Sequence, residues 1–322
     1  MRVPGRLKSV VIPVAAMLVV LLLLTSMPYL MQEYGLGLVT ETLILGLWAM
    51  SLNVLTGQTG LISMGHAATL GTSSYVLALL QKDLGWSFFQ AAPVGIAAAV
   101  AMSVLFALSA SRSSGVYFIL VTLAQGMLVW GVIQRWSTIT GGDDWLRGIE
   151  RPAAFSEYYM YYWFALWVVG GSLIALLLLQ RSTIGLRLRG VRDSPKRMAA
   201  LGYSVGTQRL VAFVVSGLFA GIAGVLYAGY VQFISPGTVY VTQSVEGLLM
   251  VILGGINSFF GPLVGAAAVV FGRAGLSLFT ERWLTIMGII LILVVLFGHD
   301  GIVGRVGALV KAIRRRIRSG AE

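Results

Sequence analysis

Residues 245–279 read VEGLLMVILGGINSFFGPLVGAAAVVFGRAGLSLF, an apolar stretch that contains two charged residues, Glu246 and Arg273. A helix needs about 20 mostly apolar residues to cross the hydrocarbon core of a bilayer. One straight helix over this stretch would measure about 52 Å at ~1.5 Å per residue, which is longer than the core is thick. Because Gly254-Gly255 and Gly261-Pro262 interrupt the stretch, we expect two shorter helices with a break between them.

The whole chain shares this apolar character. Hydrophobic residues make up 57% of its 322 residues, charged residues make up 11%, and the mean hydropathy is +0.88. Soluble globular proteins carry about 25% charged residues, so this chain could not cover its surface in water. The composition therefore predicts an all-α, polytopic integral membrane protein whose residues 1–322 form a single transmembrane domain.

Catalytic and metal chemistry is not expected. The chain has no cysteine, which excludes thiolate metal sites and a cysteine nucleophile, and its two histidines, His66 and His299, lie far apart in the sequence. None of the four lysines (8, 82, 196 and 311) follows a glycine, so the sequence contains no G-x-x-x-x-G-K-[ST] phosphate-binding loop. We predict no catalytic residue, no metal and no cofactor, and therefore not an enzyme.

Apolar blocks along the sequence predict about ten transmembrane helices. The first block follows Arg2, Arg6 and Lys8, but it lacks a small-x-small cleavage site, so we expect a retained helix and not a signal peptide. With 245–279 counted as two helices, the blocks run at 10–31, 36–56, 61–80, 88–110, 115–134, 159–180, 208–234, 245–279 and 283–298.

The basic residues predict the orientation of these helices. Residues 1–8 hold three, residues 181–209 hold seven and residues 299–322 hold six of the 23 lysines and arginines. Cytoplasmic loops carry an excess of lysine and arginine. Six passes from a short cytoplasmic N-terminus place the loop 181–207 in the cytoplasm, and four more place the basic tail 299–322 there.

The loop 181–207 carries the signals of a short helix. Ser194 is a good N-cap, Pro195 suits the first helical position, and Gly202 suits the left-handed residue that ends a helix. The predicted helix, Pro195 to Leu201, is too short to be stable alone. It must rest either on the bilayer surface or on a cytoplasmic partner, and the spacing alone does not decide between them.

A second irregular segment lies at residues 53–66, NVLTGQTGLISMGH. Gly or Thr occupies four of the five positions from Thr56 to Gly60, so we expect the helix to break there. Together with the break near residue 255, this pair is compatible with a substrate path and equally with close helix packing through small residues, and the sequence does not decide between them. The candidate translocation-path residues are Asn53, Thr56, Gly57, Gly60, Ser63, Gly65, His66, Gly254, Gly255, Asn257 and Ser258.

Ionisable residues inside the apolar blocks require an explanation, because placing a charge at the centre of a transmembrane helix costs about 3 kcal/mol of insertion free energy. Glu41 and Glu246 lie within a turn or two of predicted outer helix ends, which favours an interfacial role. They could instead be proton-coupling carboxylates of a self-contained, ion-coupled secondary transporter of a small polar solute, and a passive channel is a third possibility. His66 is expected to be a packed, neutral histidine.

Several blocks resemble, in order, those of LivM-type permeases in the LivH/LivM family of branched-chain amino-acid ABC importers. These blocks are LNVLTGQTGLISMGHA (52–67), RSSGVYF (112–118), TGGD (140–143), AGIAGVLYA (220–228), SVEGLLMVILGG (244–255) and GP (261–262). The resemblance implies inward transport of branched-chain or related small amino acids across a bacterial inner membrane. Some related permeases carry urea, short amides or aromatic acids, so the substrate stays open.

The resemblance also implies partners: two cytoplasmic ABC ATPases, a LivH-like permease or a second copy of the chain, and a periplasmic or lipid-anchored binding protein. It places the ATPase-contacting loop of the family on the predicted short helix, which would act as a lever in alternating access. The family often has small residues at positions 197 and 198, where this chain departs from it with Arg197 and Met198. The implied ATPase-coupling residues are Arg192, Asp193, Ser194, Pro195, Lys196, Arg197, Met198, Ala199, Ala200, Leu201 and Gly202.

Overall fold

The computed structural model describes residues 22, 24–142, 145–279, 282, 285–286, 288–290, 292 and 301–304. The predicted first block, 10–31, and last block, 283–298, fall largely outside these residues, as do the N-terminus and most of the basic tail. The predicted number of about ten passes therefore stays a prediction.

The described chain is almost entirely helical. Its helices are α1 Met27–Leu30, α2 Glu33–Thr59, α3 His66–Leu84, α4 Phe88–Ala110, α5 Val116–Arg135, α6 Ser137–Thr140, α7 Tyr158–Arg181, α8 Thr183–Asp193, α9 Pro195–Ala200, α10 Val205–Val231, α11 Val241–Gly254 and α12 Gly261–Ser277. Short 3₁₀ turns cover Ala153–Phe155 and Pro236–Thr238.

Five helices of the described region, α2, α4, α5, α7 and α10, are long and apolar enough to cross a membrane. The predicted blocks coincide with these helices to within a few residues at most ends. The long block 245–279 is divided into α11 and α12, which confirms the predicted break; irregular backbone covers residues 255–260.

The long helix α2 lies at the centre of the fold. Apolar on all sides, it is surrounded by α7, α8, α10, α11 and α12. Close contact is possible because small residues lie where helices meet. Gly46 of α2 faces Leu263 of α12, and Gly247 of α11 faces the ring of Trp48.

The helix break predicted between Thr56 and Gly60 begins only at the end of that stretch. Helix α2 continues to Thr59, and Gly60 ends it in the left-handed conformation, with φ of +72°. A threonine hydroxyl disfavours a helix when it competes for backbone hydrogen bonds. Here the hydroxyl bonds within the helix, since Thr59 Oγ1 donates to the carbonyl of Leu55 at 2.6 Å. Burial on all sides offsets the low helix propensity, and the irregular backbone is confined to residues 61–65.

Two further features depart from the predictions. The loop expected at 181–207 is mostly helical, because α8 precedes the predicted short helix. The all-α fold also includes a small antiparallel ladder between β1 (Leu146–Arg147) and β2 (Phe233–Ile234), in which Leu146 pairs with Ile234. This ladder attaches the segment between α6 and α7 to the end of α10.

Candidate coupling and translocation site

The short helix α9 has the caps predicted for it. Ser194 Oγ accepts a hydrogen bond from the amide of Arg197 at 3.4 Å, and Pro195 occupies the first turn. Gly202 follows the helix with φ of +85°, a conformation that favours glycine. The helix ends at Ala200, one residue before the predicted end.

One side chain of α9 is buried and the others face outward. Met198 is 9% exposed and packs on Gly190 of α8, where a methyl group would lie 2.7 Å from the methionine sulfur. Leu201, just after the helix, is 72% exposed. The exposed residues of this surface are Lys196, Arg197, Ala199, Ala200 and Leu201. The helix is thus anchored through one side chain and presents a small, basic and partly apolar surface.

Helix α8 carries α9 and is itself held by the membrane helices. Ser182 caps its N-terminus, since Ser182 Oγ accepts from the amide of Ile184 at 3.2 Å. Its buried face, Leu188 and Val191 with Gly185, packs toward α2, α7 and α10. Arg189 donates through Nη1 to Gln180 O at 2.8 Å and to Gln58 Oε1 of α2 at 3.3 Å.

Arg192 extends this connection to the end of α2 and to the break between α11 and α12. Its Nη1 donates to the carbonyl of Gly57, in the last turn of α2, at 2.6 Å and to Asn257 Oδ1 at 3.4 Å. Its Nε forms a pair with Asp193 at 3.2 Å on the exposed side. A cation near the C-terminal end of α2 is favourable, because unpaired carbonyls give a helix end a partial negative charge.

The structure brings one group of the predicted path residues together at this point. A methyl group at Gly57 would lie 2.7 Å from the carbonyl oxygen of Ile256, so the break between α11 and α12 rests directly on α2. Among the described residues, Asn53 Oδ1 and Thr56 Oγ1 are buried without a hydrogen-bond partner. Buried polar atoms normally have partners, so these two oxygens are left unsatisfied in this conformation.

The glycines of the break pack closely. Gly254 contacts the backbone of Gly261, and Gly301 approaches the backbone of Gly255. Asn257 is exposed and Ser258 is partly exposed. Small-residue packing, the alternative reading of this segment, therefore explains Gly254 and Gly255, whereas Asn257 offers a polar side chain at the surface.

The other predicted path residues, Ser63, Gly65 and His66, form a separate group. His66 is 2% exposed; its Nε2 lies 2.8 Å from Ser51 Oγ, and its ring stacks on Trp48 with centroids 5.9 Å apart. Trp48 and Ser51 are on roughly the opposite face of α2 from Asn53 and Gly57, by helical periodicity.

These contacts confirm the predicted packed histidine. Its neighbours Ser63 and Gly65 are also closely packed. The amide of Gly65 donates to Ser63 Oγ at 3.4 Å, and Gly65 has no room for a side chain beside the backbone of Thr122. This group is a packed junction between α2, α3 and α5.

A buried ion triad was missed by the sequence reasoning. Arg273 of α12 bonds to Glu41 of α2 and, at 3.5 Å, to Glu246 of α11. The side chains of the two carboxylates are 13% and 16% exposed, so they are largely buried and paired, not open to water as at a helix end. The sequence did contain an indication of this triad, because an arginine within an apolar block requires a carboxylate partner. No group of histidine and acidic side chains suited to a metal ion occurs among the residues that the structure describes.

The chain can be compared with known protein families. A family model described as the permease component of a branched-chain amino acid transport system matches residues 34–295. The chain belongs to this family. Membership, together with the long apolar helices, indicates a multi-pass protein of the bacterial inner membrane and a transport subunit, and it does not support a self-contained secondary transporter.

Individual relatives agree with the family. The chain is 26% identical, over 88% of its length and 73% of the relative's, to the high-affinity branched-chain amino acid permease protein LivM of Escherichia coli K12. It is 26% identical to LivM of Salmonella typhimurium over 89% of this chain and 74% of that one. A probable branched-chain amino acid permease protein LivH of Methanocaldococcus jannaschii is 28% identical over 76% of this chain and 80% of that protein. No solved structure matches the chain.

Proposed function

We propose that the chain is the transmembrane permease subunit of an ATP-driven (ABC) importer that carries branched-chain or related small amino acids inward by alternating access. The family match across 34–295 supports the class of protein, and the LivM relatives support the substrate class. The observation that carries the proposal is α9, a capped helix that is anchored by Met198 and faces outward with its remaining side chains.

The proposal includes partners and topology. Two cytoplasmic ATPases would dock on α9 of two permease subunits, the second being a LivH-like chain or another copy, and an extracytoplasmic binding protein would deliver the substrate. Residues 1–322 would form one domain of about ten passes with cytoplasmic N- and C-termini. The clustering of basic residues in 181–209 and 299–322 supports this orientation.

Within the coupling segment, the residues would have different tasks. Ser194, Pro195 and Gly202 define the ends of α9, and Met198 fixes it to α8. The outward residues Lys196, Arg197, Ala199, Ala200 and Leu201 would contact the ATPase. Nucleotide shifts the permease between its two states because the closed ATPase pair binds one state more tightly than the other.

The substrate path would pass beside the inner half of α2. The unpartnered oxygens of Asn53 and Thr56, next to Gly57, Gly60 and the segment 254–258, support this position. Ser63, Gly65 and His66 would form the packed wall behind it, on the other side of α2.

Docking of the ATPase on α9 is tested by replacing Ala199 with arginine. An arginine there adds bulk and charge to the surface that would meet the ATPase, so we expect ATPase co-purification to be lost while the permease still inserts. Ala154→Arg is the matched control, because Ala154 is also exposed but lies before α7, at its other end from α8. Equal ATPase recovery with the two variants would remove the docking proposal.

Transport is tested with the purified complex in proteoliposomes. Uptake of radiolabelled leucine should require ATP, the ATPases and the binding protein together. Uptake by the chain alone under a proton gradient, abolished by an uncoupler, would contradict the importer.

A further inference from the structure

Arg192 differs from the residues that follow it, because its guanidinium bonds to two other segments of the protein. The exposed residues of α9 point outward, whereas the guanidinium of Arg192 reaches Gly57 O at 2.6 Å and Asn257 Oδ1 at 3.4 Å. These two acceptors are on α2 and on the break between α11 and α12. A single side chain, three positions before α9 begins, therefore joins the coupling segment to the last turn of α2 and to the break between α11 and α12.

The backbone around Arg192 is arranged to admit its side chain. Gly60 ends α2 with φ of +72°, and a methyl group there would lie 3.1 Å from Cγ of Arg192. The aliphatic stem thus crosses the end of α2 over a residue that has no side chain. Asp193 pairs with Nε from the exposed side, which orients the guanidinium fork toward its inner acceptors.

We propose that Arg192 is a positioning residue for transport, which transmits the movement of α9 to α2 and to the 255–260 break. This inference rests on the proposed importer function and adds to it a residue that touches neither ATPase nor substrate. The Met198–Gly190 contact makes α9 and α8 move together, so displacement of α9 displaces Arg192. The two inner bonds hold the segments in one state, and their release permits the other.

The test compares Arg192→Gln with Arg187→Gln in the assembled transporter. Both arginines lie on α8 and both substitutions remove one positive charge, but Arg187 donates to Thr183 O within its own helix. The readout is the number of leucine molecules taken up per ATP hydrolysed, which does not depend on how much complex is recovered. We expect Arg192→Gln to lower this ratio at least tenfold (~1.4 kcal/mol) and Arg187→Gln to leave it within about twofold.

A double-mutant cycle with Asn257→Ala identifies the bond responsible. If the Arg192–Asn257 contact transmits the movement, Asn257→Ala should reduce the ratio in the native background and have little further effect beside Arg192→Gln. Arg192→Lys supplies the same test if the glutamine variant assembles poorly; its ammonium lacks the planar fork, and we expect an intermediate ratio.

Two different results would contradict the role of Arg192 and the importer function. Equal ratios for the Arg192 and Arg187 variants, in a transporter whose native form couples ATP to uptake, would overturn the role of Arg192 alone. A native complex without ATP-dependent leucine uptake would instead overturn the function on which the inference rests.

Discussion

Two arginines join α2 to the α11–α12 unit, and they do so in different ways. Arg273 bonds to two carboxylates, Glu41 and Glu246, with all three side chains less than one-third exposed. Arg192 bonds to a carbonyl and an amide oxygen, and its outer partner Asp193 is 64% exposed. The first is a buried ion triad and the second is a set of hydrogen bonds at the surface.

This difference indicates which connection can open. Removing one member of a buried ion pair typically costs about 3–5 kcal/mol, whereas a hydrogen bond to a charged group contributes about 1.5–3 kcal/mol. We therefore expect the ion triad to stay closed through the transport cycle and the Arg192 bonds to exchange. The triad would act as the fixed end of the α11–α12 unit, and the break at 255–260 would be its mobile end.

The largest effect is expected from Arg273→Met. Without the guanidinium, Glu41 and Glu246 face each other in a largely buried position, so we expect a fall of several degrees or more in the melting temperature in detergent. Size-exclusion chromatography of samples heated to a series of temperatures would measure this melting temperature. Arg135→Met, at the exposed end of α5, is the control.

The triad also permits a rescue experiment. Adding Glu41→Gln and Glu246→Gln to Arg273→Met removes the unpaired charges, so most of the lost stability should return. A triple variant as unstable as the single one, or an Arg273→Met protein as stable as the native chain, would contradict the assignment of the triad as the fixed connection.

A cross-link between α8 and α2 should stop transport. The chain has no cysteine, so Gln58→Cys and Arg189→Cys introduce the only two thiols at positions whose native side chains lie 3.3 Å apart. A cleavable bifunctional thiol reagent should hold α8 against α2, reduce uptake to background, and lose its effect on reduction. Each single-cysteine variant with the same reagent is the control. Undiminished uptake in the cross-linked double variant would show that α8 need not move.

The smallest effect is expected from Asp193→Asn. The carboxylate of the Arg192–Asp193 pair is largely exposed, and an exposed pair contributes about 0–1 kcal/mol. The amide oxygen of asparagine can still accept from Arg192, so we expect leucine uptake within about twofold of the native value. A loss as large as that of Arg192→Gln would mean that the ion pair, and not the inner bonds, is the important contact.

Features set by local chemistry could be predicted from the sequence. Ser194, Pro195 and Gly202 set the ends of α9 through a cap, a fixed φ and a left-handed residue, all of which depend on nearby backbone. The break between Gly254 and Pro262 follows from the same kind of local rule. The exposed positions of Ala199 and Ala200 were consistent with docking but could not be deduced without the contact of Met198 on Gly190.

Features set by long-range contact could not be predicted. Thr56 to Thr59 stay helical because other helices enclose them, which outweighs their poor propensity. Arg192 is 135 residues from Gly57 and 65 from Asn257, and no pattern along the chain joins these positions. Arg273 and Glu41 are 232 residues apart; the sequence indicated that each charge needed a partner but not which partner it has.

The turn at Ser182, between α7 and α8, determines how far Arg192 moves when α8 tilts. Helix α8 has 11 residues, so it is a rod about 16 Å long. If it pivots at Ser182 by roughly ten degrees, Arg192 at its far end moves by about 3 Å. A hydrogen bond tolerates a change of only about half an ångström. A small tilt is therefore enough to take Arg192 from fully bonded to fully released, so that a gradual push on α9 produces an abrupt response at the end of α2.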